Sequence, residues 1–360
     1  MLLKKSRLPI RDIFIYGFLP SFVKVAVYRL KGYSIGKGVS IGLGSVICGN
    51  NVRIGAYTNI GFLTIIRGVN ITIGSHVQIG STTILDTPHM EIGDGSKINE
   101  QVFVGGLQYP DSKFVLGRNC QIMQMSFINP AVSIVIGDDT GIGGDCLLFC
   151  HTSWLSQFEG YPVEFKPIEI GNSVSIAWRV FILPGTKIGD GSVIGANSLV
   201  SRTIPPRSLA VGFPARVVST FPDFPQEVTE EQKVTILKGI ISEMESYLRG
   251  SGLEWISREG YYAIGLQRKN PWGFKKTKWR LQVGYDKLSA QGNSTSVEGV
   301  DVFLSLWTIP KEYRSILNTK KVSWIDIENK EQPFLLNDLG EEVALFLRRY
   351  GVRLYRVKDY

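Results

Sequence analysis

Histidine and cysteine side chains are the groups of this chain that could carry proton transfer or nucleophilic chemistry. The 360 residues include three histidines, His76, His89 and His151, and four cysteines. An imidazole with an ordinary pKa of about 6.5 can take a proton from a hydroxyl group at neutral pH. Cys150 precedes His151, but neighbours on a strand point to opposite faces, which argues against a Cys–His nucleophilic pair. The cysteine spacing is typical of neither a disulfide scaffold nor a metal finger.

A six-residue repeat must position these side chains. From residue 35 onward, an aliphatic residue followed by a small one recurs at every sixth position, as in Ile35-Gly36 and Ile41-Gly42. Neither the helix period nor the two-residue period of a strand gives this spacing, and a fixed hexapeptide repeat predicts a parallel β-helix. About eight coils fit the pattern, beginning at Ile35, Ile54, Ile73, Ile92, Leu116, Ile136, Ile170 and Ile188.

Within each hexad, the aliphatic residue is expected to fill the interior. The residue four places later also points inward and is usually small or β-branched, as at Thr58, Cys120 and Cys146. Glycine after the aliphatic residue, with Asn or Asp in the turns, is expected to supply the backbone angles of the corners. Both ends of such a prism need a cover.

Two interruptions of the repeat mark the functional region. The step from Ile92 to Leu116 carries a small insert, GGLQYPDSK, and the step from Ile136 to Ile170 holds about 16 extra residues, near 151–167. Loops that leave a solenoid usually form its binding face. His151 stands at the start of the long excursion, whereas His76 and His89 are expected in surface or substrate-contact positions.

The closing coils carry a resemblance to a known family. Residues 168–218 contain ILPG, then SLVSRTIPP, then GFPARV. This order resembles the coenzyme-A-binding end of the hexapeptide-repeat acyltransferases, and the resemblance covers about residues 34–219. It implies a left-handed β-helix, a homotrimer, and transfer of an acetyl group from acetyl-CoA to a hydroxyl or an amine. Polysaccharide and sugar O-acetyltransferases are the members most like this chain.

The resemblance also assigns roles to residues. His151, followed by the K-P-x-x-I-G return at 166–171, takes the place of the general base, and the backbone N–H of Trp178 that of the oxyanion donor. The acyl-CoA contacts it implies are Ala177, Trp178, Ala196, Ser201, Arg202 and Arg216. Many members have Trp at the fourth place of an N-x-V-W-I-G coil, where this chain has Ser175. A stacking role for Trp178 therefore does not follow.

The acceptor side is predicted from residues near His151. Asn129 and Asp145 lie one coil or less away and could bind hydroxyl groups. Trp154 belongs to an aromatic excursion loop that suits a sugar, loop packing or a trimer contact equally. A three-histidine zinc anhydrase on the same fold is the competing enzyme. It is disfavoured because gaps of 13 and 62 residues place the histidines on different coils, and no metal is expected.

Residues 1–33 form a basic amphipathic arm with seven basic residues and one acidic residue. Its longest uncharged run, Ile13 to Val23, is too short to cross a bilayer, and Asp12 and Pro20 interrupt any signal-like stretch. Two short helices broken at Pro20 are predicted. A cap over the prism and a contact with anionic lipid both remain open.

The last third predicts a different architecture. Residues 221–252 are expected to form a helical connector, with a helix at about 229–248, and residues 253–360 an α+β domain of unassigned role. The strands are expected near 261–266, 278–285, 302–309, 322–327 and 352–357, and a second helix near 340–350. Basic residues at Lys275, Lys276, Lys278 and Arg348–Arg349 alternate with Trp272, Trp279 and Tyr350. Because residues 221–360 net only +2 and show no motif, a solvated face is expected rather than nucleic-acid binding.

Charge and repeat together lead to one functional hypothesis. Residues 34–220 balance 12 basic against 12 acidic residues, so the +8 of the chain belongs mainly to the arm. The hypothesis is a mainly β, acetyl-CoA-dependent O-acetyltransferase of a sugar or surface-polysaccharide precursor, cytoplasmic or peripheral at the inner membrane face. An N-acetyltransferase of an amino-sugar nucleotide or antibiotic, and a non-catalytic scaffold, remain the alternatives.

Overall fold

The computed structural model describes residues 9–266, 278–288 and 297–358. The chain divides into two compact units, Met1–Gln226 and Glu227–Tyr360, each with its own hydrophobic core.

Three parallel sheets form the first unit, with eight, ten and eight strands. The first sheet contains Ser34–Ile35, Asn51–Ile54, Asn70–Ile73, His89–Ile92, Lys113–Leu116, Ser133–Ile136, Ile168–Ile170 and Lys187–Ile188. The second contains Ser40–Ile41, Asn59–Ile60, Gln78–Ile79, Lys97–Ile98, Gln121–Ile122, Gly141–Ile142, Ser175–Ile176, Val193–Ile194, Ser208–Gly212 and Ala215–Thr220. The third contains Val46–Cys48, Ile65–Arg67, Ile84–Asp86, Phe103–Val104, Phe127–Asn129, Leu147–Phe149, Phe181–Ile182 and Leu199–Val200.

This arrangement is a parallel β-helix, so the predicted mainly β fold is confirmed. Strands of successive coils pair in parallel, as Ile35 does with Ile54, and only the terminal hairpin Ser208–Gly212 with Ala215–Thr220 is antiparallel among the described strands of these three sheets. The predicted first residue of every coil is the last residue of a first-sheet strand, where its aliphatic side chain is buried. The core is therefore a stack of aliphatic side chains from successive coils.

The glycine after each aliphatic residue is required by close approach between coils. A Cβ on Gly36 would lie 2.5 Å from the backbone nitrogen of Ala56 in the next coil. The left-handed angles of the corners occur instead at residues such as Tyr57, with φ of 58°, Asn119 and Asp139. The expectation that this glycine supplies the corner angle is therefore wrong. The expectation for Asn and Asp holds only at some corners, such as Asn119 and Asp139, because residues of other types, such as Tyr57, adopt the same angle elsewhere.

The small inward residues of the hexads also link neighbouring coils. The hydroxyl of Thr58 donates to the carbonyl of Gly74 at 2.7 Å, and Ser96 donates to Gly117 at 2.6 Å. These side chains are fully buried, so each hydroxyl needs a partner inside the prism. These serine and threonine side chains thus give a hydrogen-bond partner both to the buried hydroxyl and to the backbone carbonyl at the corner of the next coil.

The arm covers the first coil, whose backbone groups have no preceding coil to bond with. It comprises Ile10–Asp12, a π-helical turn Ile13–Gly17 and a helix Ser21–Leu30. Ser21 Oγ accepts from Ile41 N at 2.9 Å, and Tyr28 Oη accepts from Ile47 N at 3.0 Å. Lys24, fully buried, donates to two carbonyls of the first coil, which holds its charged head inside the cap. The arm is therefore a cap.

None of the helices in the described part of the chain is by itself long and apolar enough to span a membrane. Ile10–Gly17 and Ser21–Leu30 reach the required length and apolar composition only as a pair, and they are bent by 119° relative to each other.

The long excursion folds back on itself. His151–Thr152 pairs in antiparallel fashion with Glu164–Phe165, and a 3-10 turn Gln157–Glu159 lies between them. The chain then rejoins the first sheet at Ile168.

The second unit is a seven-stranded sheet with three α-helices in its described part. Its strands are Leu253–Arg258, Tyr261–Leu266, Lys278–Gly284, Val302–Ser305, Ser323–Asp326, Glu331–Pro333 and Tyr355–Val357. Its helices are Glu230–Gly250, Lys311–Thr319 and Asp338–Leu347, followed by a 3-10 turn Arg348–Tyr350. The helix predicted as a connector buries Leu237, Ile241 and Met244 in the core of this unit, so it belongs to the unit itself. The predicted basic and aromatic positions Trp272, Lys275 and Lys276 lie outside the described residues.

Candidate active site

His151 lies at the corner where the excursion leaves the prism. It follows the third-sheet strand Leu147–Phe149 and pairs with Phe165 across the hairpin. The two rings are nearly parallel, 11° apart, with their centroids at 6.0 Å, and the ring of Phe149 lies at 6.1 Å. Aromatic side chains thus fix the imidazole from two sides.

This environment favours the neutral form of the imidazole. Nδ1 of His151 is buried and has no hydrogen-bond partner among the described residues. Burial lowers the pKa of His151 from its ordinary value, because the imidazolium loses solvation. A neutral imidazole is the form that can accept a proton.

The cysteine beside it is not a nucleophile. Cys150 is fully buried and its thiol donates to the carbonyl of Ser133 at 3.3 Å. Burial raises the pKa of Cys150 to about 11, so the thiol stays protonated at neutral pH. Cys120 and Cys146 are likewise buried, as expected for core filling.

The predicted oxyanion donor occupies another corner. Ala177 and Trp178 form the turn between the second and third sheets, and Ala196 lies in the equivalent turn of the next coil. Asn197 N donates to Trp178 O at 3.1 Å, which stacks the two turns. The half-exposed indole of Trp178 covers Gly144, where an added Cβ would lie 2.4 Å from the ring. The three residues are therefore brought together.

A single chain does not bring Trp178 and His151 together. Asp145, one coil before Trp178 at the same corner, lies before the third-sheet strand Leu147–Phe149 and His151 lies after it, so the chain between them spans at most roughly 20 Å. Asp145 forms an ion pair with Arg179 at 3.2 Å and does not approach the imidazole corner. Its predicted role beside His151 has no support within one chain.

The residues predicted for the nucleotide lie near the end of the prism. Ser201 and Arg202 follow the last third-sheet strand, and Arg216 pairs with Val211 in the terminal hairpin Ser208–Thr220. All three predicted residues are exposed. Neither arginine forms an ion pair within the described part of the chain, so both remain available to phosphate.

The acceptor residues differ in their placement. Asn129 occupies the position equivalent to Phe149 one coil earlier, and its carbonyl accepts from Cys150 N at 3.2 Å. It is 5% exposed, and its Oδ1 has no partner among the residues described. Trp154 is 96% exposed on the hairpin loop. Asn129 therefore lies next to the histidine corner, whereas Trp154 projects into solvent.

Sequence reasoning missed the aromatic wall of this site. Tyr109, from the small insert, packs edge-to-face on Phe165 with centroids 5.5 Å apart. Gln108 of the same insert donates to the carbonyl of Asp86, whose carboxylate pairs with Arg67. The small insert thus contacts the excursion at Phe165, the residue that stacks on His151. The two interruptions of the repeat are the sequence signal that could have pointed to Tyr109 and Phe165. The repeat does not predict that the two inserts are in contact.

The other histidines are elsewhere. His76 stacks on Tyr57 at 5.2 Å at a first-unit corner, and His89 Nδ1 lies 3.0 Å from Asn70 Nδ2 on the first sheet. Over the described ranges, no cluster of three His, Cys, Asp or Glu side chains could hold a metal ion.

Proteins with similar sequences are named acetyltransferases. The chain is similar to the galactoside O-acetyltransferase of Escherichia coli (strain K12), with 39% identity over 124 residues, or 32% of this chain and 60% of that protein. The chain thus spans less than two thirds of that relative. The similarity confirms the acetyltransferase resemblance predicted from the closing coils. A comparison with models of protein families gave no match.

Two solved structures of acetyltransferases are similar to this chain at low sequence identity. The polySia-specific acetyltransferase NeuO is 21% identical, with a TM-score of 0.39 over 55% of this chain and 85% of that one. A galactoside acetyltransferase in complex with coenzyme A is 21% identical, with a TM-score of 0.27 over 59% of this chain and 79% of that one.

Proposed function

We propose that the protein transfers an acetyl group from acetyl-CoA to a hydroxyl group of a sugar or polysaccharide precursor, with His151 as general base. The observation that carries this proposal is the half-buried imidazole of His151, with its Nδ1 enclosed, at the corner where Phe165 stacks on it and Tyr109 packs on Phe165. Similarity to a galactoside O-acetyltransferase supports the reaction class and the sugar acceptor.

The chemistry needs one proton carrier. Nδ1 of His151 is buried, so we assign Nε2 as the atom that accepts the proton from the acceptor hydroxyl. The acceptor oxygen then attacks the thioester carbonyl, and a C–O bond forms. As the C–S bond breaks, the imidazolium returns the proton to the departing thiolate, so CoA leaves as a thiol. No covalent enzyme intermediate is required, in agreement with the protonated, inward-facing Cys150.

The oxyanion donor is proposed to come from another copy of the chain. The tetrahedral oxyanion needs a fixed N–H donor, worth about 3 kcal/mol of barrier lowering. The Trp178 corner and the His151 corner lie at opposite ends of the third-sheet strands. A homotrimer that sets the Trp178 turn of one copy against the His151 corner of the next would complete the site. The acyl donor, acetyl-CoA, would be held along this edge by Ala177, Ala196, Ser201, Arg202 and Arg216.

The acceptor is proposed to bind between the two inserts. The rings of Tyr109 and Phe165 offer apolar surface of the kind that packs on a sugar face, and Tyr109 is 45% exposed. Asn129 is the proposed polar contact for a sugar hydroxyl, and because its unpartnered Oδ1 is buried, its side chain must turn toward the corner to make this bond. Trp154, on the excursion loop, could add a second ring.

The proposal is tested by thiol release from acetyl-CoA with a panel of hydroxyl-bearing and amino-bearing sugars. We expect acceptor-dependent release of CoA with hydroxyl acceptors, and a loss of about 100- to 10,000-fold in kcat/KM for His151→Ala. His76→Ala is the matched control, because that imidazole stacks on Tyr57 away from the site. Sedimentation of the same preparation gives the number of copies.

Each contrary result has a defined meaning. Full activity of His151→Ala would remove the base assignment. Turnover only with amino acceptors would favour an N-acetyltransferase, and absence of any acyl-CoA binding would leave the scaffold alternative. A monomeric active enzyme would contradict the shared oxyanion donor.

A further inference from the structure

The outward faces of the arm are apolar. Ile10, Phe14 and Phe18 follow one another at four-residue spacing and are 58%, 74% and 60% exposed. On the next helix, Phe22 and Leu30 are 76% and 89% exposed. A contiguous set of large exposed apolar side chains on a soluble surface marks an interaction site.

The opposite face of the second helix is already occupied. Ser21, Lys24 and Tyr28 hydrogen bond to the first coil, and two of these side chains are fully buried. Rotating this helix to bury Phe22 would break those bonds. The helix therefore cannot hide its apolar stripe within the chain, nor leave the prism to cross a bilayer, without exposing the first coil.

The apolar surface continues from the arm onto the prism. The carbonyl of Gly17 accepts from Gly44 N at 2.6 Å, which places the arm against this corner of the first coil. Leu43 beside it is 61% exposed, and Phe62 and Leu63 at the same corner of the next coil are each 53% exposed. We name the arm stripes and these three corner residues the apolar face.

The arm that carries the apolar stripes is basic in sequence. Residues 1–33 carry seven basic residues and one acid, whereas residues 34–220 carry equal numbers of each sign. Arg11 is exposed beside the first stripe, whereas Arg29 is exposed but donates to the carbonyls of Ile35 and Gly36 at 2.8 and 3.0 Å, and the acid, Asp12, lies 4.0 Å from Lys31. A surface with apolar side chains flanked by arginine and lysine complements anionic lipid headgroups above acyl chains.

We propose that the apolar face docks the protein in the plane of an anionic lipid bilayer, with Phe14, Phe18 and Phe22 inserted at the headgroup boundary. The capping contacts fix the prism to the docked helices. The first coil would thus lie next to the membrane surface.

Vesicle cosedimentation tests the proposal on the full chain without acetyl-CoA, so its outcome is independent of catalysis. Vesicles of phosphatidylglycerol and phosphatidylcholine are compared with phosphatidylcholine alone. We expect binding to the anionic vesicles that weakens with salt, and at least about a tenfold weaker partition for Phe14→Ser/Phe22→Ser. Leu155→Ser/Phe158→Ser is the matched control, because these side chains are exposed on the excursion hairpin and should leave binding unchanged.

Three results would overturn the proposal: no binding of the wild-type chain to anionic vesicles, equal binding of the arm variant, or equal binding to neutral vesicles. A lower number of copies for the arm variant in lipid-free solution would also overturn it, by assigning the face to contact between copies. Circular dichroism checks that the arm variant is folded. If it is not, the single Phe22→Ser variant carries the same comparison.

Discussion

The ring of Phe165 lies parallel to the imidazole of His151 and helps to exclude water from it. Burial lowers the pKa of His151, so protonation of the free enzyme should reach its midpoint, with half of the activity lost, below the ordinary imidazole value of 6.5. We expect kcat/KM to rise with pH and to level off with an apparent pKa below 6.5. Phe165→Ala should admit water and move this acid limb to higher pH.

Measurement of kcat/KM against pH for both forms checks this prediction. A limb above 6.5 in the wild-type enzyme would contradict the effect of burial, since desolvation acts against the charged imidazolium. A limb that does not move in Phe165→Ala would assign the shift to other neighbours of His151.

Single residues were predictable where the repeat or a motif fixed their place. His151 could be found because it begins the long break in the hexads, and Cys146 because it holds an inward position. Asp145 stays a prediction as an acceptor contact, and proximity in coil number does not say that it lies at the Trp178 corner of the prism, where it pairs with Arg179. Phe165 and Tyr109 were not found, since both belong to inserts without a repeat.

At the scale of the coil, the glycines determine how closely successive turns can stack. A Cβ at Gly80 would lie 2.4 Å from Glu100 N and 2.5 Å from Asn99 C, both backbone atoms of the next coil. Because backbone cannot swing aside as a side chain can, Gly80→Ala should lower the free energy of unfolding of its unit by about 2 kcal/mol.

Gly239→Ala is the matched control, because this exposed glycine of the helix Glu230–Gly250 has open space around its Cα. Because alanine loses less backbone entropy than glycine on folding, Gly239→Ala should raise the free energy of unfolding of this helix's unit by about 0.5–1 kcal/mol. Calorimetry of the full chain measures both changes. A neutral Gly80→Ala variant would mean that the coils can separate locally at little cost.

The elements of the prism were predictable because each coil repeats the same inward and outward pattern. The eight first-sheet strands end at the eight residues that the hexads select. In the second unit there is no repeat, and a short apolar run can be either a strand or part of a buried helix. Strand 261–266 was predicted, but the helix Lys311–Thr319 and the strand Glu331–Pro333 were not.

At the scale of the whole molecule, the +8 charge is concentrated away from the candidate active site. The β-helix from 34 to 220 is balanced, so electrostatics favour anionic partners mainly at the arm. Composition predicted this distribution, because it needs only positions along the chain. It did not predict that the buried Lys24 uses its charge to cap the first coil.

The division into two units predicts where the chain opens to protease. Residues between Thr220 and Glu230 form no helix or strand and are largely exposed, and Glu227 lies among them. A Glu-specific endoprotease should therefore cut after Glu227 before it cuts within either core, since cleavage requires locally extended chain. Mass spectrometry should show residues 1–227 and 228–360 as the first products. Because each unit has its own buried cluster, both fragments should keep their secondary structure by circular dichroism. Earlier cleavage at Glu169 or Glu245 would instead show that the prism or the helix opens more readily than the segment between the units.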